Sequence, residues 1–260
     1  MLRTRLITAA IALPLVLAMV IFAPPEIFAG FIGLLGMIGL YEVSAMTDSE
    51  LRALLLILVA GVMPLIILLV RSDGPWILPA VAIFSMTSLT LRVGVRGPEA
   101  KGLWLVLLGA IWVGALFPYF AWVRNGRDGV KLIILILLLV VASDSGAYFV
   151  GRAIGRIKLL PKVSPNKTVE GAIGGLAASV IVAVVLRRWL APEFRAGGIA
   201  GFSAAVAVLA QLGDLANSAF KRVAGVKDSG WIFPGHGGLL DRTCSLVFPV
   251  VFAYYYLYYA

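Results

Sequence analysis

An all-α, polytopic integral membrane protein of about nine transmembrane helices, with catalytic loops on the cytoplasmic side, is the fold class this sequence predicts. Two observations carry the prediction. Apolar residues fill 61% of the 260 positions against 13% charged, and the mean hydropathy is +1.01, a balance foreign to a water-soluble domain. Apolar runs of about 17 to 20 residues also recur from one end to the other, the length that crosses a roughly 30 Å hydrocarbon layer. Disordered and fibrous classes are excluded by the same composition. The single cysteine, Cys244, excludes an intrachain disulfide.

The elements follow in order. Leu6 to Ala23 is the first span; Arg3 and Arg5 precede it as they would a cleaved signal peptide, but its apolar run matches the later spans, so it is expected to stay. Ile27 to Met46 comes next across the Pro24-Pro25 break, and this tight pair also fits one re-entrant element. Leu51 to Val70, Trp76 to Leu91 and Leu103 to Trp122 are each bounded by charge, glycine or proline. Leu132 to Val150, Val169 to Leu186, Gly197 to Asn217 and Thr243 to Tyr259 complete the set. Trp76, Trp104, Trp112, Trp122 and the tyrosines from Tyr254 to Tyr259 fit interfacial belts. Residues 1–123 read as a lipid-facing scaffold and residues 124–260 as the catalytic region.

Lys and Arg set the orientation, because cytoplasmic loops carry the excess. With the N-terminus inside, about two-thirds of the 22 Lys and Arg fall on cytoplasmic segments. The two richest loops, Gly151 to Thr168 and Ser218 to Arg242, then share one face. The net charge of +9 follows from such loops, so no nucleic-acid partner is expected.

Chemistry is sparse before residue 124. Glu42 is the one conspicuous ionisable group of the early spans, either a helix-packing carboxyl or a functional one. The later half differs. Asp144 ends an uncharged run, and a carboxylate there is costly unless paired or metal-bound. The segment from Lys162 to Gly171 holds Ser164, Lys167, Thr168 and Glu170, reads as a loop leading into a helix start, and has the N–H donors and cations to grip phosphate. Asp214 closes the eighth span, with Ser218, Lys221 and Arg222 following at helical spacing. Lys227-Asp228, Pro234-Gly235-His236-Gly237-Gly238 and Asp241-Arg242 come last; glycines let a backbone approach phosphate, cations neutralise it, and acids bring a divalent metal.

The stretch SAFKRVAGVKDSGWIFPGHGGLLDR, Ser218 to Arg242, resembles the signature of the phosphatidate cytidylyltransferase (CDP-diacylglycerol synthase) family. DSGAYFVGR at Asp144, SPNKTVEG at Ser164 and the Gly213-Asp214 pair are similar to further family motifs, in the family's order. The motif resemblance covers Asp144 to Arg242. It implies that CTP and phosphatidate give CDP-diacylglycerol and pyrophosphate, with magnesium as cofactor and a second cation left open, in a multi-pass protein of a bacterial-type cell membrane.

On that resemblance Asp214 and Asp241 are expected to hold the metal, with Asp144 and Asp228 as second choices. Lys221, Arg222, Lys227 and Arg242 would neutralise the triphosphate, since two polyanions repel in a low-dielectric site. Lys167 with Ser164 and Thr168 would hold one phosphate, Ser218, Gly237 and Gly238 would contact substrate, and His236 would position a phosphate or take a proton. Removing the Asp241 side chain is expected to abolish turnover without unfolding. Phosphatidate would enter sideways from the bilayer. The small-residue face from Gly171 to Ala178 permits close helix contact, which leaves a homodimer open. One departure stands out: the family continues D-R-x-D, whereas Cys244 occupies the final acid's position, and a thiol suits a hard cation poorly. Two other readings stay open, a CTP-using enzyme acting on an isoprenoid or ether lipid, and an anion transporter, which would call for charges in two related halves of the chain.

Overall fold

The computed structural model describes residues 2–46, 109, 112–232 and 237–259. Within them run helices α1 (Leu2–Phe22), α2 (Pro25–Ala45), α3 (Pro118–Asn125), α4 (Gly129–Ile154), α5 (Val169–Leu190), α6 (Ala196–Ala224) and α7 (Leu240–Tyr259). An antiparallel hairpin, β1 (Lys158–Leu160) and β2 (Ser164–Thr168), links α4 to α5. By length and composition α2, α4, α5 and α6 can cross a membrane. The expected spans Leu51 to Val70 and Trp76 to Leu91 lie outside the described residues, as do residues 103–108, 110 and 111 of the expected span Leu103 to Trp122.

The Pro24-Pro25 break separates two helices of 21 residues each. Pro25 sits at the start of α2, where its fixed φ suits the helix and its missing N–H costs nothing. Arg124, in the last turn of α3, secures this turn. Its Nε donates to the Val20 carbonyl at 3.1 Å, another of its nitrogens donates to the Ala23 carbonyl, and its guanidinium lies 5.3 Å from the centre of the Phe28 ring.

Between lipid-embedded helices there is no hydrophobic drive, because acyl chains are as apolar as leucine; close packing and hydrogen bonds hold them instead. The α4 and α5 pair shows this directly. A Cβ on Gly146 of α4 would lie 2.6 Å from the Ala178 Cβ, so only glycine allows the approach. The small face of α5 is thereby used inside the chain. Gln211 of α6 donates to the Ala172 carbonyl at 3.0 Å and to Ser143 Oγ at 3.4 Å, tying three helices at about 0.6 kcal/mol per bond.

The segment expected as a loop is a hairpin, with Lys158 opposite Thr168 and Leu160 opposite Ser164, which departs from the all-helical expectation. Its exit follows the expected helix start. Thr168 Oγ1 accepts the Gly171 N–H at 3.1 Å and caps α5, while Glu170 accepts the Ile157 N–H at 3.2 Å. Arg222, in the last turn of α6, donates from Nε to the Val163 carbonyl at 3.3 Å. The hairpin and the end of α6 therefore meet at one end of the bundle.

Candidate active site

Three elements converge at that end: the C-terminal half of α4, the hairpin with the start of α5, and the middle of α6. A cavity of about 480 Å³ opens between them, lined by Asp144, Gly151, Arg152, Lys167, Thr168 and Asp214 among others. Arg152 donates to the Tyr148 hydroxyl at 2.8 Å, four residues earlier on α4, so one helical face carries the acid, the phenol and the guanidinium. Asp144 lies in the field of Asp214, Lys167 and Arg242. Ser164, at the far end of β2, is not among the cavity's lining residues.

Lys167 Nζ lies 2.5 Å from Asp214 Oδ2, with the two side chains 27% and 39% exposed. An ion pair this open contributes about 0–1 kcal/mol to stability, so exchanging the carboxylate for a phosphate costs Lys167 little. Lys221 differs. It lies 2.5 Å from Asp241 Oδ1 with exposures of 17% and 7%, and breaking so enclosed a pair costs several-fold more.

Asp241 is the most heavily engaged acid of the signature loop. Its Oδ1 accepts from Lys221 and from Asn217 Nδ2 at 3.0 Å; its Oδ2 accepts the Ser229 N–H at 2.9 Å, the Ser229 hydroxyl at 3.0 Å and the Gly238 N–H at 3.2 Å. The glycines, expected to approach phosphate, approach carboxylates in this structure. Gly237 has φ +83°, and a Cβ there would meet Asp241 Oδ2 at 2.7 Å.

The loop has a second buried acid beneath it, Glu42 of α2, which is 1% exposed. It accepts the Leu239 N–H at 2.6 Å, the Leu240 N–H at 2.9 Å and the Ser229 hydroxyl at 3.0 Å. Two of the N–H groups that α7's first turn leaves without helical partners are thus satisfied from another helix. Ser229 stands between Glu42 and Asp241, and its one hydroxyl proton serves one carboxylate at a time.

Cys244 is buried one turn beyond Asp241, its Sγ 3.9 Å from Asp214 Oδ1 and 3.8 Å from the Asp241 carbonyl. Gly213 makes this possible, because any Cβ there would strike the Cys244 carbonyl. The position that the resemblance gives to an acid therefore faces Asp214.

Other expected residues are spread more widely. Ser218 is half-buried on α6, Lys227 and Asp228 are exposed after it, and Arg222 turns to the hairpin. Arg242 is exposed on the first turn of α7, and His236 lies outside the described residues. Sequence reasoning passed over Arg152, Asn217 and Ser229 and left Glu42 undecided. Asn217 was legible as the i+3 neighbour of Asp214 on the face that continues to Lys221. No local pattern marks Ser229 or Glu42 as partners.

Comparison with known proteins extends the likeness beyond the motif region. The profile of the cytidylyltransferase family matches residues 3–260. The phosphatidate cytidylyltransferase of Staphylococcus haemolyticus is 36% identical over 251 residues, 95% of each chain. That of Staphylococcus aureus strain COL is 34% identical over 256 residues, again 95% of each chain. The phosphatidate cytidylyltransferase of Bacillus subtilis is 41% identical over 153 residues, 58% of this chain and 57% of the relative.

Proposed function

Because this chain belongs to the cytidylyltransferase family, we propose that it transfers the cytidylyl group of CTP to phosphatidate, giving CDP-diacylglycerol and pyrophosphate. The observation that carries this reading is the open Lys167–Asp214 pair on the wall of the polar cavity, a cation ready to exchange its partner beside a second acid, Asp144.

In the reaction a phosphatidate phosphate oxygen attacks the α-phosphorus of CTP, and the bond from that phosphorus to the bridging oxygen of pyrophosphate breaks. Both reactants are anions, so their approach must be screened in a site of low dielectric. Lys167 and Arg152 supply positive charge inside the cavity, and the charge of Arg242, which is not among its lining residues, also acts on Asp144. Thr168 holds the hairpin on α5 and so fixes Lys167, its neighbour in sequence. Lys221 serves Asp241, and the pair keeps the signature loop in place. Phosphate oxygen is a competent nucleophile at neutral pH, so no dedicated base is needed.

Magnesium is part of the proposal, and the residues present suit it. This ion takes one or two carboxylates and completes its shell with water and substrate phosphate. Asp144 and Asp214 face the same cavity and would hold it; Asp241 would join only by giving up present donors. The Asn217 Oδ1 atom is a buried acceptor with no donor among the described residues, on the residue that bonds Asp241. Bound by Asp144 and Asp214, magnesium would neutralise triphosphate charge.

The nine-span topology, the inside N-terminus and the cytoplasmic site complete the reading, supported by the gathering of Lys167, Lys221, Arg222 and Arg242 around one end of the bundle. The test is incubation of purified protein with labelled CTP, phosphatidate and magnesium. A labelled CDP-lipid is expected; formation only from an ether-linked or isoprenoid acceptor would replace phosphatidate as the substrate.

A further inference from the structure

We propose that the apolar groove between α1, α2, α4 and α7 seats an acyl chain of the phosphatidate substrate, with Arg242 at its polar end. The assignment rests on the phosphatidate reading above and adds a place for the part of the lipid that does no chemistry.

The groove encloses about 500 Å³ and is walled by Leu13 and Val16 of α1, Leu35 of α2, and Ile133, Leu137 and Val141 of α4. Among the described residues that line it, Arg242 is the one charged side chain. A long apolar slot with a single guanidinium matches a ligand with a hydrocarbon tail and an anionic head. The same arginine acts on Asp144, which lines the polar cavity. Arg242 therefore lines the groove while its charge reaches an acid of the polar cavity, as the junction between headgroup and tail requires.

Helix α4 sets the register. Ile133, Leu137 and Val141 recur every fourth residue, and the same face continues through Asp144 to Tyr148 in the polar cavity. From Ile133 to Asp144 the helix rises about 16 Å, close to half of a roughly 30 Å hydrocarbon core. A tail lying along this stripe thus runs from the level of Asp144 along α4 toward its Gly129 end. The groove is also open on its flank, because Leu13 is 59% and Val141 61% exposed. Lipid can enter sideways without lifting its chains into water.

Two measurements test the assignment. The first uses the native protein in phosphatidylcholine vesicles with phosphatidate carrying a diazirine within its acyl chain. Photolabelling is expected on residues 12–16 of α1 and 133–141 of α4, reduced severalfold by excess phosphatidate and unchanged by the same excess of phosphatidylcholine. Labelling elsewhere, or equal competition by phosphatidylcholine, which would mark a resident bilayer lipid, overturns it. The second is Leu137→Trp, which fills the slot away from the chemistry. It should raise the KM for dioleoyl-phosphatidate about fivefold or more, while the KM values for dioctanoyl-phosphatidate and CTP stay within about twofold. Equal changes for both chain lengths, or none, overturn the assignment. Labelling that phosphatidate competes, without any CDP-lipid from the native protein, overturns the activity and leaves the groove assigned. Loss of both overturns both.

Discussion

Glu42 of α2 accepts the Leu239 N–H at 2.6 Å, across 197 positions of sequence, and so supplies from an early helix the cap that the last helix needs. The bond converts an acid from an early apolar span into part of the signature loop. A carboxylate is suited to the place because it accepts in several directions and donates in none.

Glu42→Gln tests that requirement. Its amide can keep one acceptor but turns an N–H group toward the N–H groups of Leu239 and Leu240, leaving buried donors unmet. The expected loss is about 1–3 kcal/mol of stability, read as a lower melting temperature in detergent, together with reduced turnover. An unchanged melting temperature would show that the contacts carry no weight.

Asp241→Ala should lower stability as well as activity. The sequence alone gave reason to expect lost turnover in an otherwise folded protein, but Asp241 accepts from Lys221, Asn217, Ser229 and Gly238, and its removal strands the Lys221 ammonium. Breaking a pair so enclosed costs about 3–5 kcal/mol. Adding Lys221→Met should restore part of the melting temperature without restoring turnover; full additivity of the two losses would contradict the pairing.

Gly237→Ala isolates the loop geometry. The residue has φ +83°, and the added methyl group would press on Asp241 Oδ2. A loss of at least about 1 kcal/mol is expected from the backbone alone, with a further fall in turnover as Asp241 is displaced. Retention of native stability and rate would contradict the structure there.

These sites show what was legible in the chain. Apolar runs placed the helices well, since membrane-spanning length is a one-dimensional property: Leu132 to Val150 lies within Gly129–Ile154, and Gly197 to Asn217 within Ala196–Ala224. The signature motifs drew attention to Lys167, Asp214, Lys221 and Asp241, two pairs of which are ion-paired. Partner choice was not legible. Arg222 and Lys221 are adjacent, yet one turns to the hairpin and the other to Asp241, because successive residues on a helix point about 100° apart. Ser164-Pro165-Asn166 reads as loop by composition; strand pairing there depends on Leu160 across the turn. Glu42 lacked any local sign of a partner that arrives so much later.

Cys244→Asp examines the departure from the D-R-x-D pattern. The thiol faces Asp214 Oδ1 at 3.9 Å, so the new carboxylate would add charge beside the proposed magnesium ligands. The magnesium concentration for half-maximal activity should fall by about tenfold, equivalent to about 1.4 kcal/mol. No change in magnesium dependence would remove Asp214 from the proposed ligands.

The most direct test of the account is CDP-lipid formation from CTP and phosphatidate by the wild-type protein and by Asp214→Asn, reconstituted in the same lipid and magnesium. The substitution is nearly isosteric and touches an ion pair of little structural worth, so the melting temperature should hold. Turnover should fall about a hundredfold or more, at least about 2.7 kcal/mol in the barrier. A folded Asp214→Asn protein that works at close to the wild-type rate would contradict the placement of the reaction in this cavity.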